Sequence, residues 1–193
     1  MKVSFFSIFL SLTILAISCG GNTTGPKMDL KGYQVEQIGG GATAASYFDA
    51  NSWPLSKGHL INGVQNGQWT TFHPDSRKMK TITNYINGKK NGAEVTFNER
   101  GQIIEIKHFQ NDQLHGLSAT YRSSRPVKET IYTKGVMHGP FAIYDEFTGK
   151  IQRSGTYSNG QFHGDLYFYG SNEEVTLKYV YDQGEKVSGG IVD

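Results

Sequence analysis

Apolar and polar residues alternate over short stretches of this chain, and a glycine-containing turn ends most of these stretches. Residues 93–97 place an alanine, a valine and a phenylalanine on one side of an extended backbone, and a glutamate and a threonine on the other. This period of two predicts β-strands. Because residues 103–109 place apolar side chains on both sides, we expect a single-layer sheet with two faces that are each partly apolar and partly solvated.

The alternating stretches belong to a repeat that can be aligned on one glycine. Successive aligned glycines are separated by 23 to 25 residues, and a turn pair such as Asn87-Gly88 precedes each of them. The aligned positions are Gly67, Gly92, Gly116, Gly139, Gly164 and, in a looser sixth copy, Gly189. Self-similarity at a fixed period predicts a repeat architecture.

Large side chains keep the same phase as the aligned glycines. Seven residues before the glycine come Leu60, Tyr85, Phe109, Tyr132 and Tyr157. Five residues after it come Phe72, Phe97, Tyr121, Tyr144 and Tyr169. Side chains in phase with the strands should form rows that cross the sheet.

Each repeat contains what two antiparallel strands require. The Asn87-Gly88 pair supplies the positive φ of a two-residue hairpin turn, and a polar turn at residues 98–101 ends the strand that follows. The sequence therefore predicts an all-β fold, an elongated antiparallel single-layer β-meander built from about six hairpin repeats. Two strand spacings of about 4.8 Å should lengthen the meander by about 9.6 Å per repeat.

The N-terminus differs in composition from the repeats. Residues 1–18 contain Lys2, an apolar run of 15 residues from Val3 to Ile17, and a small residue before Cys19. This pattern is typical of a secretory signal peptide. A membrane-spanning helix needs about 20 apolar residues, so a permanent helical anchor is the weaker alternative.

Residues 15–20 resemble a lipobox, the site at which lipoproteins are cut before a lipid-modified cysteine. We therefore predict lipid attachment to Cys19, which would hold the protein at a membrane. The small and polar residues 20–29 are expected to form a flexible tether. The residue directly after Cys19 is glycine and not an acidic residue, and an analogy with enterobacterial lipoproteins then favours the outer over the inner membrane of the cell envelope.

These patterns divide the chain into a signal peptide (1–18), a lipidated cysteine with its tether and an N-terminal cap (19–57), and the repeat domain (58–193). Gly39-Gly40-Gly41 lacks the Gly-Lys-Ser/Thr ending of a phosphate loop, so we expect a flexible connector there. Trp53-Pro54 is a candidate start of a cap over the first sheet edge, which would otherwise be exposed.

Composition and charge exclude several classes of function. The formal net charge is only +2 and charges of both signs are interleaved, which is unlike a nucleic-acid-binding protein. The single cysteine excludes an intramolecular disulfide. Because the chain has no Gly-x-Ser-x-Gly elbow and its carboxylates are scattered among turns, we expect neither catalytic residues nor a cofactor.

Two groups of side chains have alternative interpretations. His115, His138 and His163 precede aligned glycines, but a spacing of about 9.6 Å per repeat is too long for a shared metal, so solvated turn histidines are expected. The aromatic rows either stabilise the sheet by cross-strand packing or provide a platform for a protein strand or a glycan. The candidate binding residues are Tyr121, Tyr132, Tyr144, Tyr157 and Tyr169.

The recurring pattern Tyr-x-Asn-Gly-x-x-x-Gly-x-x-x-x-Tyr, best developed in residues 157–169, resembles the MORN repeat in its bacterial variant. The resemblance covers about residues 55–189 and implies an elongated antiparallel sheet that binds proteins or lipids. Bacterial proteins of this type are commonly grouped as YwqK-type antitoxins. We therefore expect a membrane-anchored, non-catalytic protein-interaction module, with an antitoxin-like protein and a glycan-binding surface protein as alternatives.

Overall fold

The computed structural model describes residues 24–192, so Cys19 and the predicted signal peptide lie outside the described residues. Fifteen strands in this part form one open antiparallel sheet, in which strands follow one another in chain order. Residues 24–192 contain no helix, and therefore none that could cross a membrane. The predicted all-β single-layer meander is confirmed.

The first eight strands are β1 (Gln34–Gly39), β2 (Ala42–Phe48), β3 (Pro54–Ile61), β4 (Val64–Phe72), β5 (Met79–Ile86), β6 (Lys89–Phe97), β7 (Ile103–Gln110) and β8 (Gln113–Arg122). The others are β9 (Arg125–Thr133), β10 (Val136–Tyr144), β11 (Ile151–Ser158), β12 (Gln161–Phe162), β13 (Gly164–Tyr169), β14 (Val175–Asp182) and β15 (Glu185–Ile191). Strands β1 and β15 form the two edges of the sheet.

The tight turns of successive repeats lie along one rim of the sheet, which we call the turn rim. Its turns are residues 62–63, 87–88, 111–112, 134–135, 159–160 and 183–184, and both residues of each have positive φ. Asp112 adopts this conformation (φ 69°) where the other copies have glycine. The amide of Gly88 donates to the carbonyl of Gln65 in the preceding repeat at 2.8 Å, and four later turns make the equivalent bond. The opposite rim, the loop rim, carries the longer turns and the two-residue turn Ser123-Ser124, both of whose residues also have positive φ.

The two faces of the sheet exchange their polarity along its length. The face that carries Trp69, the Trp69 face, is apolar at its two ends and polar in its middle, where the paired residues are Thr83, Glu94, Lys107, Ser118 and Thr130. The Ile106 face is apolar in its middle, where the paired residues are Ile82, Val95, Ile106 and Ala119. The side that carries the apolar residues therefore changes along the sheet, which explains the imperfect alternation of the sequence.

A strap formed by residues 24–33 covers the N-terminal end of the Trp69 face. Met28, Leu30 and Tyr33 pack against a buried cluster of Ala45, Leu60 and Trp69. The amide of Met28 donates to the carbonyl of Gly63 at 2.9 Å. The predicted tether is therefore wrong for residues 24–29, because their apolar side chains and backbone are bound to the sheet.

The sheet also begins earlier than the sequence boundary at residue 58. The hairpin of β1 and β2 pairs with β3, so residues 34–57 extend the meander. The predicted connector Gly39-Gly40-Gly41 is the tight turn of this hairpin, with positive φ at all three residues. Trp53-Pro54 begins no edge cap, because Pro54 is the first residue of the internal strand β3.

Candidate functional site

The aromatic residues that precede the aligned glycines lie opposite glycine in the register of the sheet. Tyr132 pairs with Gly116 and Tyr157 pairs with Gly139, and the same relation joins Gly67 to Tyr85, Gly92 to Phe109 and Gly164 to Tyr181. An aromatic ring opposite a glycine compensates for the side chain that the glycine lacks. This row belongs to the Trp69 face. Its members recur in phase with the aligned glycines because each aromatic residue pairs with such a glycine on the neighbouring strand.

The aromatic residues that follow the aligned glycines lie at register shifts near the loop rim. A shift separates Ile143 from Tyr144 and Phe168 from Tyr169, and equivalent shifts precede Phe72, Phe97 and Tyr121. The hydroxyl of Tyr144 bonds to Glu129, whose register partner Ala142 is on the Ile106 face. This second row therefore belongs to the opposite face from the first.

The five predicted binding residues are consequently divided between two surfaces. Tyr144 and Tyr169 lie on the Ile106 face, and Tyr121 shares their position in the repeat. Tyr132 and Tyr157 lie on the Trp69 face, where Tyr157 packs against Phe141 and Phe162 with ring centroids 4.8 and 4.7 Å away. The structure supports cross-strand packing for Tyr157 and leaves the Ile106 face as the candidate surface.

Three tyrosines near the C-terminal end of the Ile106 face form what we call the tyrosine patch: Tyr144, Tyr167 and Tyr169. Tyr144 donates to the Glu129 carboxylate at 2.8 Å, and Tyr167 donates to the Asp165 carboxylate at 2.7 Å. Hydrogen bonds of this kind to a charged group are stronger than neutral ones. Each of these two phenol rings is therefore held at both ends, by its backbone and by its hydroxyl.

The third ring completes the patch. The hydroxyl of Tyr169 lies 2.9 Å from that of Ser154, and its ring centroid lies 6.5 Å from that of Tyr167. Small residues separate the rings in the register, because Ala142 pairs with Ser154 and Ser154 pairs with Tyr167. The rings thus border a shallow strip of sheet on which a ligand could lie.

The electrostatics of the patch reinforce these positions. Burial, followed by the hydrogen bond and charge of Glu129, raises the pKa of Tyr144 to about 12. The Lys178 ammonium lies 2.8 Å from Asp165, and its hydrogen bond, with that of Tyr167, lowers the pKa of the Asp165 carboxyl. Near neutral pH Tyr144 and Tyr167 are therefore neutral phenols, and Asp165 is an ionised carboxylate beside the Lys178 ammonium.

An open cleft of about 320 Å³ adjoins the patch at the loop rim. Tyr169 lines it together with the turn residues Asp145, Thr148, Lys150 and Ser171. The Thr148 amide and hydroxyl donate to the Asp145 carboxylate at 2.7 and 2.9 Å, and these bonds lower the pKa of Asp145. Asp145 therefore serves mainly to shape its own turn, and the cleft is an extension of the patch.

The predicted turn histidines bond to neighbouring repeats. The Lys134 amide donates to Nδ1 of His115, and the Asn159 amide donates to Nδ1 of His138, both at 3.4 Å. His163 lies 3.3 Å from the Asp182 carboxylate. In the part of the chain that the structure describes, no group of three or more metal-binding side chains comes together.

Five residues of the patch and its polar contacts were missed by sequence reasoning: Glu129, Ser154, Asp165, Tyr167 and Lys178. Tyr167 is two residues before the phased Tyr169, and it could have been found because alternation places both on the same side of β13. The partners Glu129 and Ser154 lie 15 residues from the tyrosines that they contact. Only the pairing of the strands brings them together.

Comparisons with known proteins leave the family open. No family model and no curated protein matches the chain. Among solved structures, it is similar to the crystal structure of TarM, with a TM-score of 0.33 and 12% identity over 68% of this chain. It is also similar to a mutant of S. aureus TarM in complex with Fondaparinux, alpha-GlcNAc-glycerol and UDP, with a TM-score of 0.34 and 12% identity over 72% of this chain.

The present chain spans 22% of the length of each TarM chain. A similarity this weak carries no argument about the fold or the function.

Proposed function

We propose that this chain is a non-catalytic binding protein, held at the bacterial cell envelope by lipid on Cys19, and that the tyrosine patch contacts its ligand. The observation that carries the proposal is the fixation of the phenol rings of Tyr144, Tyr167 and Tyr169 on one face. Rings that are already ordered lose little conformational entropy when a ligand binds. Tyrosine is also enriched at the contact points of protein interfaces.

A protein is the first candidate for the ligand. The patch is a broad, open strip bordered by half-buried rings and charged groups, and the adjoining cleft is open to solvent. A surface of this shape suits a partner that covers a large area, as proteins do. The resemblance to MORN repeats, which implies protein or lipid binding, points the same way.

A glycan is the second candidate, and one feature of the patch favours it. The carboxylates of Glu129 and Asp165 each accept a tyrosine hydroxyl beside an exposed part of the ring. Each carboxylate has further acceptor positions that could bind sugar hydroxyls while the sugar ring stacks on the phenol. The antitoxin-like function stays a prediction from the repeat resemblance, and its partner would be a toxin encoded beside this protein.

The ligand can be tested by crosslinking in intact cells, followed by mass spectrometry of what is recovered with the chain. A protein partner should be captured by the wild type and lost from Tyr144→Ala and Tyr169→Ala. The matched control is Tyr132→Ala, which removes a half-buried tyrosine from the opposite face and should keep the partner. Retention on peptidoglycan or another polysaccharide, with the same dependence on the patch, would favour the glycan. If no variant differed from the wild type in either assay, the patch would not be the binding surface.

The anchor is tested separately by cell fractionation. Cys19→Ala should release the protein into the soluble fraction, since the lipid would no longer be attached. A mutant that stays membrane-bound and uncleaved would instead indicate a helical anchor in residues 1–18.

A further inference from the structure

The strap reaches the turn rim at one defined place. The Met28 amide bonds to the Gly63 carbonyl at 2.9 Å, and the Pro26 ring lies against Gly88, since a Cβ built there would be 3.2 Å from Pro26 Cδ. The chain therefore meets the rim at the turns that join β3 to β4 and β5 to β6. These turns belong to the N-terminal third of the sheet.

Gly25 is packed so closely that the strap has little freedom at this point. A Cβ on Gly25 would lie 2.0 Å from the Asn87 carbonyl oxygen and 2.8 Å from Cγ1 of Val64. The first of these atoms belongs to the backbone of a tight turn, which cannot move away cheaply. Because Gly25 does not require a positive φ, its role is to allow this close approach.

The length of the chain before the strap limits how far the rim can be from the membrane. Six peptide links join Cys19 to Gly25, which contacts Asn87, and at about 3.5 Å each they span at most about 21 Å. If Cys19 carries the lipid, as proposed above, the lipid surface lies within this distance of the Asn87-Gly88 corner. A tether free as far as residue 29 would have allowed a longer reach, about 35 Å.

We propose that the strap orients the sheet on the lipid bilayer, with the N-terminal end of the turn rim against the headgroups and the tyrosine patch facing away. Exposed lysines at the contact corner, Lys27 and Lys89, complement the negative surface that anionic lipids provide. Tyr144 on β10 lies five strand spacings beyond β5, about 24 Å along the sheet, and near the loop rim. The strap thus leaves the binding surface accessible to a partner in the envelope.

The orientation can be measured by energy transfer from the sheet to the membrane. The lipidated protein would be reconstituted in phosphatidylethanolamine and phosphatidylglycerol vesicles that carry a rhodamine-labelled lipid. Because Cys19 is the single native cysteine and would be acylated, Lys89→Cys or Ser171→Cys gives one labelling site. These sites lie on opposite rims and six strand spacings apart, about 29 Å, so transfer from Lys89→Cys should be roughly twofold or more that from Ser171→Cys.

Matched glycine variants test whether the strap is the cause. Gly25→Ala should detach the strap and bring the two transfer efficiencies close together. Gly190→Ala should leave them different, because a Cβ there meets no atom within 4 Å. Equal transfer from the two sites in the wild type, or an unchanged difference in Gly25→Ala, would overturn the proposal.

A second perturbation avoids any change in the folded part. Flexible Gly-Ser segments inserted between Cys19 and Thr24 lengthen the reach while the strap remains in place. Transfer from Lys89→Cys should fall as the insert grows, and a constant value would refute the orientation. A wild-type chain that failed to be acylated at Cys19 would instead refute the anchor on which this inference rests.

Discussion

The Leu60→Ala variant should destabilise the N-terminal end of the sheet while leaving the stability of the C-terminal strands unchanged. Leu60 is 0% exposed and belongs to the cluster that the strap covers. Truncation of a buried leucine removes apolar surface and leaves a cavity, at a cost of about 2–5 kcal/mol in compact cores. Because the strap can settle onto a single-layer sheet, we expect about 2–3 kcal/mol here.

The locality of the effect follows from the topology. Each strand contacts its immediate neighbours in the sheet, as in other repeat proteins, where stability is a sum over adjacent units. Leu60 on β3 and the buried Leu166 on β13 are nine strand spacings apart, about 43 Å. The matched variant Leu166→Ala should therefore weaken the other end alone.

The two tryptophans make the distinction measurable, because Trp53 and Trp69 both lie near the N-terminal end. With a urea dependence of about 1–3 kcal/mol per M, Leu60→Ala should lower the midpoint seen by tryptophan fluorescence by about 0.7–3 M. Leu166→Ala should leave this midpoint unchanged and alter only the urea transition that is followed by circular dichroism. Equal loss of hydrogen-exchange protection in β3 and β13 of either variant would show that the sheet unfolds as one unit, against this reasoning.

Two further predictions concern charge at the candidate site. The Thr148 amide and hydroxyl lower the pKa of Asp145 below 3.8. The ionised Asp145 carboxylate should therefore stabilise the fold fully above its ordinary pKa, and this stabilisation should be lost as the pH falls through its lowered pKa in the folded chain. Asp145→Asn should flatten the dependence of the thermal midpoint on pH between about 5 and 2, and an unchanged acid limb would contradict this role. Glu129→Gln should lower the pKa of Tyr144 from about 12. The pKa is measured from tyrosinate absorbance in the wild type and in Glu129→Gln, after subtraction of the same chain carrying Tyr144→Phe. An unchanged pKa of Tyr144 in Glu129→Gln would assign the shift to burial alone.

Part of the candidate site could be predicted from the sequence. The phase of Tyr121, Tyr144 and Tyr169 identified one aromatic row correctly, because strands of equal length repeat the same position. Tyr132 and Tyr157 were grouped with them, although they lie on the other face. The first three follow their aligned glycine by five residues, an odd number, so alternation places them on the opposite face from that glycine. Tyr132 and Tyr157 pair directly with such a glycine, and this pairing is decided by the register of neighbouring strands.

The N-terminal region shows the same limit. Alternation is weak in β1, and all its residues are exposed, so its membership of the sheet depends on pairing with β2. The strap has no periodic pattern at all. Its position results from three apolar side chains that find the cluster around Trp69, and this contact joins residues that are distant in the chain.

The sequence by itself determined the all-β class, the period of the repeat and the hairpin turns, because these depend on local preferences such as positive φ at Asn87-Gly88 and alternation along single strands. Only the tertiary structure decided which face each aromatic row occupies, which carboxylate holds each phenol, and where the strap leaves the rim. These features depend on register and on contacts between distant residues, whose energies are set by the pairing of whole strands.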